Sequence, residues 1–93
     1  MTVHVPSPLH SYTRRQSVVR AAGTTVAEVL ADLDRQFPGI RFRMIDEQDG
    51  IRDHIRIFVN STLAADTRVR LRPADEIDII CAISGGSSVV GGL

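Results

Sequence analysis

The sequence predicts an α+β domain in which one main helix covers one face of a mixed β-sheet, with the element order strand, strand, helix, strand, strand. Apolar residues alternate with a period of two near both ends of the chain, and between these regions they recur at helical spacing after a capping signal. A chain of 93 residues has room for one domain with one modest core.

The first two strands are predicted near the N-terminus. Residues 2–5 place both of their valines on one face, and Pro6 ends the run. The second strand falls within residues 16–22, where Val18 and Val19 are adjacent. The pattern therefore leaves open which of these two valines points inward.

The main helix is predicted to begin at Thr25, which has the capping-box spacing to Glu28. Pro38–Gly39 ends it. Residues 40–45 are expected to form a short second helix or an extended flap, followed by a loop over residues 46–53. The apolar face of the main helix consists of Val26, Val29, Leu30, Leu33 and Phe37.

Two further strands are predicted, over residues 54–60 and 76–83. One helix covers only one face of such a sheet, so the opposite face stays uncovered. The residues expected to point toward the helix are Ile55, Ile57, Val59, Ile77, Ile79, Cys81 and Ile83. The uncovered apolar residues are Phe58, Ile80 and Ala82, rimmed by Arg56 and Asp78. This patch indicates a protein-docking surface, although scattered exposed apolar residues are also common.

Residues 84–93 have a different composition from the predicted domain, residues 1–83. They contain four glycines, three serines and no charge, which predicts a flexible tail. Glycine has no Cβ, so the segment Ser84, Gly85 and Gly86 fits a channel that any larger side chain would block. Taken alone, such a tail is equally typical of a terminus without a role.

Three segments resemble the ThiS and MoaD proteins. Residues 57–60 are similar to their Ile-x-Val-Asn strand, residues 73–77 to their turn into the last strand, and residues 82–86 to their terminal Gly-Gly. The first half, residues 17–40, is similar to CysO-type carriers. The resemblance implies a β-grasp (ubiquitin-like) fold, with the first and last strands parallel at the sheet centre.

The resemblance implies a sulfur carrier protein and not an enzyme. A ThiF/MoeB-type adenylating enzyme would activate Gly86 with ATP and magnesium. A sulfur donor would then convert it to a thiocarboxylate, which delivers sulfur to a synthase. The chain itself would bind no cofactor and no metal, and the final sulfur acceptor (cysteine, methionine, thiazole, molybdopterin or a secondary metabolite) stays open.

Most such carriers end at Gly-Gly, whereas here Ser87 follows Gly86, so that Gly86 carries an amide. We therefore expect cleavage between Gly86 and Ser87 by a JAMM-type metalloprotease, which removes residues 87–93. Gly92 is a second possible end, but Gly86 keeps the family distance from the last strand. Two other functions stay open: a ubiquitin-like modifier joined to target lysines, and a small non-catalytic subunit of a synthase complex.

The composition disfavours several other classes. Zero net charge and the lack of tryptophan argue against nucleic-acid binding. No apolar run is long enough for a membrane span or a signal peptide. The single cysteine fits a reducing cytoplasm. The three histidines show no metal-ligand spacing.

All 11 basic residues are arginine. Codon usage in a GC-rich genome would produce this pattern. It is also consistent with a chain that carries an activated acyl end and lacks side-chain amines to attack it.

Overall fold

The computed structural model describes residues 1–81 as a five-stranded mixed sheet with helices packed on one face. The strand order is β2-β1-β5-β3-β4, and β1 and β5 are the one parallel pair within this part of the chain. The elements are β1 (Thr2–His4), a 3-10 turn (Ser7–Leu9), β2 (Val18–Arg20), α1 (Val26–Gln36), α2 (Ile40–Met44), β3 (Ile55–Val59), β4 (Thr62–Leu63) and β5 (Glu76–Cys81). The predicted α+β architecture and the central parallel pair are confirmed.

The sheet centre is built from small and branched apolar residues in register. Val3 of β1 lies between Val19 of β2 and Ile77 of β5, and Ile57 of β3 is opposite Ile79. All five side chains are buried against the helices. This register also decides which valine of β2 points inward, because Val19 must share the face of Val3.

α1 follows its sequence signals closely. The Thr25 hydroxyl oxygen accepts a hydrogen bond from the Glu28 backbone N–H at 3.2 Å, as the capping spacing predicts. The reciprocal bond is shifted by one residue, because the Glu28 carboxylate accepts from the N–H of Thr24 at 2.7 Å and from its hydroxyl at 2.9 Å. These bonds from Thr24 hold the pKa of Glu28 below its usual range. The predicted apolar face, from Val26 to Phe37, is buried.

Residues 40–44 form a second helix and not an extended flap. Gly39 precedes it with a φ of +97°, and a Cβ at this position would lie 3.3 Å from the Tyr12 ring. The Asp34 carboxylate accepts from the N–H groups of Gly39 and Arg41 at 3.0 and 3.2 Å. A left-handed glycine and an aspartate cap therefore turn the chain from α1 into α2.

A short strand, β4, forms a hairpin with β3 that the sequence analysis missed. Asn60 and Ser61 adopt φ angles of 50° and 72°, as a two-residue type I′ turn requires. The Asn60 side chain also reaches β5, because its amide donates to the Asp75 carboxylate at 2.8 Å and its carbonyl accepts from the Glu76 N–H at 2.9 Å. The Arg72 N–H donates to the same Asp75 carboxylate at 2.7 Å. This network fixes the start of β5 against the hairpin.

Two residues predicted to point inward are only partly covered. Cys81 and Val59 are half-buried and pack against the margin of the core. Cys81 is the last residue of β5 within the described part, and it borders an open groove together with Pro6 and Pro8. Residues 82–83 of the predicted last strand and the predicted tail, residues 84–93, lie outside the described residues.

We expect Ile77→Ala to lower the free energy of unfolding by about 2–5 kcal/mol, because Ile77 is fully buried between Val3 and Val59. Ile80→Ala, three positions along the same strand on the uncovered face, is the matched control and should cost less than about 1 kcal/mol. Urea denaturation of both variants measures this difference. Equal losses would contradict the assignment of the two faces.

We expect Asp75→Asn to destabilise the chain at neutral pH and to lose this effect in acid. The Arg72 N–H and the Asn60 amide hold the pKa of Asp75 below its usual range. Their stabilisation is therefore present above the unfolded pKa and is lost as the pH falls through the folded pKa.

The gap in unfolding free energy between wild type and Asp75→Asn should accordingly narrow as the pH falls below about 4. Urea titrations at several pH values measure it. Asp53→Asn is the control, since within residues 1–81 the Asp53 side chain forms no hydrogen bond. A gap that stays constant with pH would contradict the role of the Asp75 carboxylate.

Candidate functional site

The uncovered face of the sheet carries one row of side chains that crosses all five strands. Strand register fixes the row, since directly opposed residues project to the same face. From edge to edge the row reads Val18, His4, Asp78, Phe58 and Leu63. Ile80 and Arg56 form the neighbouring row toward the C-terminal end of β5. We call these seven residues the open face.

Apolar side chains on the open face are unusually accessible. Within residues 1–81 the exposed large apolar residues are Val18 (46%), Leu63 (53%), Ile80 (47%) and Phe42 (57%). The first three lie on the open face, and only Phe42 lies elsewhere, on α2. Phe58 is half-buried beside them. The structure therefore places the predicted docking residues Phe58 and Ile80 on one face. Leu63 extends their apolar patch to the β4 edge, whereas His4 and Asp78 separate it from Val18.

The sequence analysis missed Val18 and Leu63. Val18 could have been assigned once β2 was paired with β1, because Val19 then takes the buried side. Leu63 carried no usable signal, since β4 is two residues long and its pairing depends on the Asn60–Ser61 turn.

The charged residues of the open face are arranged differently from the prediction. Asp78 lies in the middle of the sheet and not at the rim, because β5 is the central strand. The His4 Nε2 atom lies 3.9 Å from the Asp78 carboxylate and 3.6 Å from that of Glu76. The Arg56 guanidinium donates to the carbonyls of Asp53 and Ile55 at 2.7 and 3.0 Å. Arg56 is thus held at the start of its own strand, beside the end of β5.

The described part of the chain ends with β5, at a defined place in the sheet. Because β1 and β5 are parallel, their carboxyl ends lie side by side. An open groove at this end is lined by Pro6 and Pro8 after β1 and by Ile80 and Cys81 of β5. Four residues lie between Cys81 and Gly86, and the five chain steps span at most about 17 Å. Ala82, Ser84, Gly85, Gly86 and Ser87, which the sequence analysis placed in docking, threading and cleavage, lie outside the described residues.

Metal-ligating residues do not converge in the described part of the chain. Residues 1–81 contain no group of three His, Cys, Asp or Glu side chains able to hold a metal ion. The His10 ring already has a nearby hydrogen-bond partner, since its Nε2 atom lies 2.8 Å from the Val5 carbonyl oxygen. No helix among these residues is both long and apolar enough to cross a bilayer.

Known proteins similar to this chain share its length and its fold. The sulfur carrier protein CysO of Mycobacterium tuberculosis is 29% identical over 91 residues, which cover 92% of this chain and 98% of that protein. A chain of the Amycolatopsis orientalis BexX/CysO complex superimposes with a TM-score of 0.85 at 27% identity, covering 91% of this chain and 98% of its own length.

SAMP1, the small archaeal modifier protein 1 of Haloferax volcanii, superimposes with a TM-score of 0.73 at 25% identity over 92% of this chain and 98% of its own. The described architecture is therefore the β-grasp fold that the resemblance implied. The model of the ThiS family matches residues 3–86, which is most of the sequence and includes the whole open face. The chain belongs to the ThiS family.

Proposed function

We propose that this chain is a sulfur carrier protein whose working group is a thiocarboxylate on Gly86. The observation that carries the proposal is the extent of the ThiS family match, which runs through the β-grasp domain and reaches residue 86, the second glycine of the Gly85-Gly86 pair. The similarity to the sulfur carrier protein CysO over 91 residues supports the same assignment.

The proposed chemistry is divided between the carrier and its partners. A ThiF/MoeB-type enzyme binds ATP and magnesium, and a carboxylate oxygen of Gly86 attacks the α-phosphorus and releases pyrophosphate. A sulfur donor then attacks the carbonyl carbon and displaces AMP, and the resulting thiocarboxylate passes its sulfur to a synthase. The carrier contributes a surface and a reactive end, and it is a co-substrate rather than an enzyme.

Docking is assigned to the open face, with Phe58 and Ile80 as the apolar centre, Ala82 as its continuation and Arg56 beside them. Ile80 lies on the central strand β5, Phe58 and Arg56 lie on the neighbouring β3, and the sequence continues from β5 to Gly86. A partner that covers the open face therefore has the reactive end within about 17 Å of Cys81. Glycines at 85 and 86 let the last residues enter a narrow channel, since they carry no side chain.

A processing step precedes activation in this proposal. Gly86 is joined to Ser87 by an amide, and adenylation requires a free carboxylate. A JAMM-type metalloprotease is assigned to cut the bond between Gly86 and Ser87 and to release residues 87–93. The reducing cytoplasm is the proposed compartment, where both Cys81 and a thiocarboxylate stay reduced.

Protein modification is the second candidate function. The structural similarity to the modifier SAMP1 favours it, because that protein shares the fold over 92% of this chain. A modifier would transfer Gly86 to the lysines of target proteins and would not acquire sulfur. The two candidates use the same activated end and differ in its final product.

We expect the mature chain recovered from its host to end at Gly86 and to be heavier than the free acid by the difference between sulfur and oxygen. Intact-mass spectrometry and C-terminal peptide analysis measure this. A Gly86→Ala variant, which keeps the chain length but adds a Cβ, is expected to form no thiocarboxylate. An end at Gly92 would refute the cleavage site, and Gly86 found on lysines of other proteins would favour the modifier.

We expect Phe58→Ala and Ile80→Ala to raise the KM of the adenylating enzyme for the carrier by about tenfold or more, with kcat nearly unchanged, because truncating a central apolar anchor weakens docking. Pyrophosphate exchange measures both constants. Phe42→Ala is the matched control, since Phe42 is also exposed but lies on α2. If Phe42→Ala weakens activation as much as Phe58→Ala, the docking surface is wrongly placed.

A further inference from the structure

We propose that this chain donates its activated end but does not accept one through a side-chain amine, so that one carrier is never joined to another by an isopeptide bond. The inference rests on the proposed function, because it requires an activated Gly86. It comes from the basic side chains that the chain presents: all 11 are guanidinium groups, and the sequence contains no lysine.

Self-acylation needs an uncharged amine. The amine nitrogen would attack the carbonyl carbon of the acyl adenylate, the bond between that carbon and the bridging oxygen would break, AMP would leave with that oxygen, and the amine proton would pass to solvent. A lysine deprotonates often enough to perform this reaction, whereas arginine keeps its proton at any working pH and has no free amine. An arginine in place of lysine thus preserves positive charge and removes the nucleophile.

The exposure of the arginines makes the presence of arginine rather than lysine important for this reaction. The side chains of Arg35 and Arg68 are 79% and 89% exposed, and Arg72 is exposed on the loop before β5. A lysine at any of these sites would be open to the end of a second chain. Arg68 donates to the Asp66 carboxylate at 3.0 Å, and this contact raises the pKa of Arg68 further.

The same inference limits the modifier alternative. If Gly86 were joined to lysines of other proteins, a second carrier could not be added to the first through a lysine side chain. Targets would carry single carriers at each site, and no branched or linear series of carriers would form.

The test uses the chain ending at Gly86, which keeps every residue that the structure describes, with an aryl thioester on Gly86 installed chemically by intein cleavage and thiol exchange. Wild type, R35K/R68K/R72K and the matched R35Q/R68Q/R72Q are incubated at equal concentration and mildly basic pH. Covalent dimers are quantified by intact mass, and linked sites are mapped by peptide analysis. Circular dichroism confirms that the variants are folded.

We expect the lysine variant to form at least about ten times more covalent dimer than wild type or the glutamine variant, because only lysine supplies a neutral amine. A wild-type dimer at the same level, amide-linked through a side chain, would overturn the inference. Equal behaviour of all three chains would also overturn it. The thioester is made without an adenylating enzyme, so a failure here is distinct from the lack of a thiocarboxylate in the host, which would refute the proposed function.

Discussion

The parallel pairing of β1 with β5 is the constraint on which the rest of this structure depends. It inserts the first strand of the chain beside the last one, so that β5 becomes the central strand, with β1 on one side and β3 on the other. β5 thereby pairs with β1 over residues 76–78 on one edge and with β3 over residues 77–81 on the other.

Alternate side chains of β5 point to opposite faces of the sheet, so that the residues that stabilise the core differ from those on the candidate docking surface. Ile77 and Ile79 are buried under the helices, whereas Asp78 and Ile80 project from the open face. Because adjacent residues of a strand point to opposite faces, one short strand fills the core and presents the candidate docking surface. Changes on one face therefore leave the other face largely intact, which makes the two roles separable by mutation.

The sequence was sufficient for elements with a strong local signal. The Thr25 cap, the apolar face of α1 and the alternation in β3 and β5 are local patterns, and each appears in the structure where it was predicted. The errors and the assignments left open arose where the outcome depends on distant pairing. Pairing with Val3 decides which of Val18 and Val19 points into the core, and strand order decides the central position of Asp78. The two-residue β4 exists only through its hairpin with β3. None of these features has a signature within its own segment.

A carrier and a modifier place opposite demands on the surface of a β-grasp domain. Both need an activated C-terminal acyl group, but a carrier must remain single until a sulfur donor reaches it, because an amide formed with another carrier is stable. Exposed lysines on the partner molecule are the main hazard, since carriers meet one another near the activating enzyme. Arginines such as Arg35 and Arg68 retain the charge and its ion pairs with Asp32 and Asp66 without offering an amine. A set of basic side chains that is entirely arginine is thus consistent with the proposed carrier, in which the acyl end stays available for sulfur.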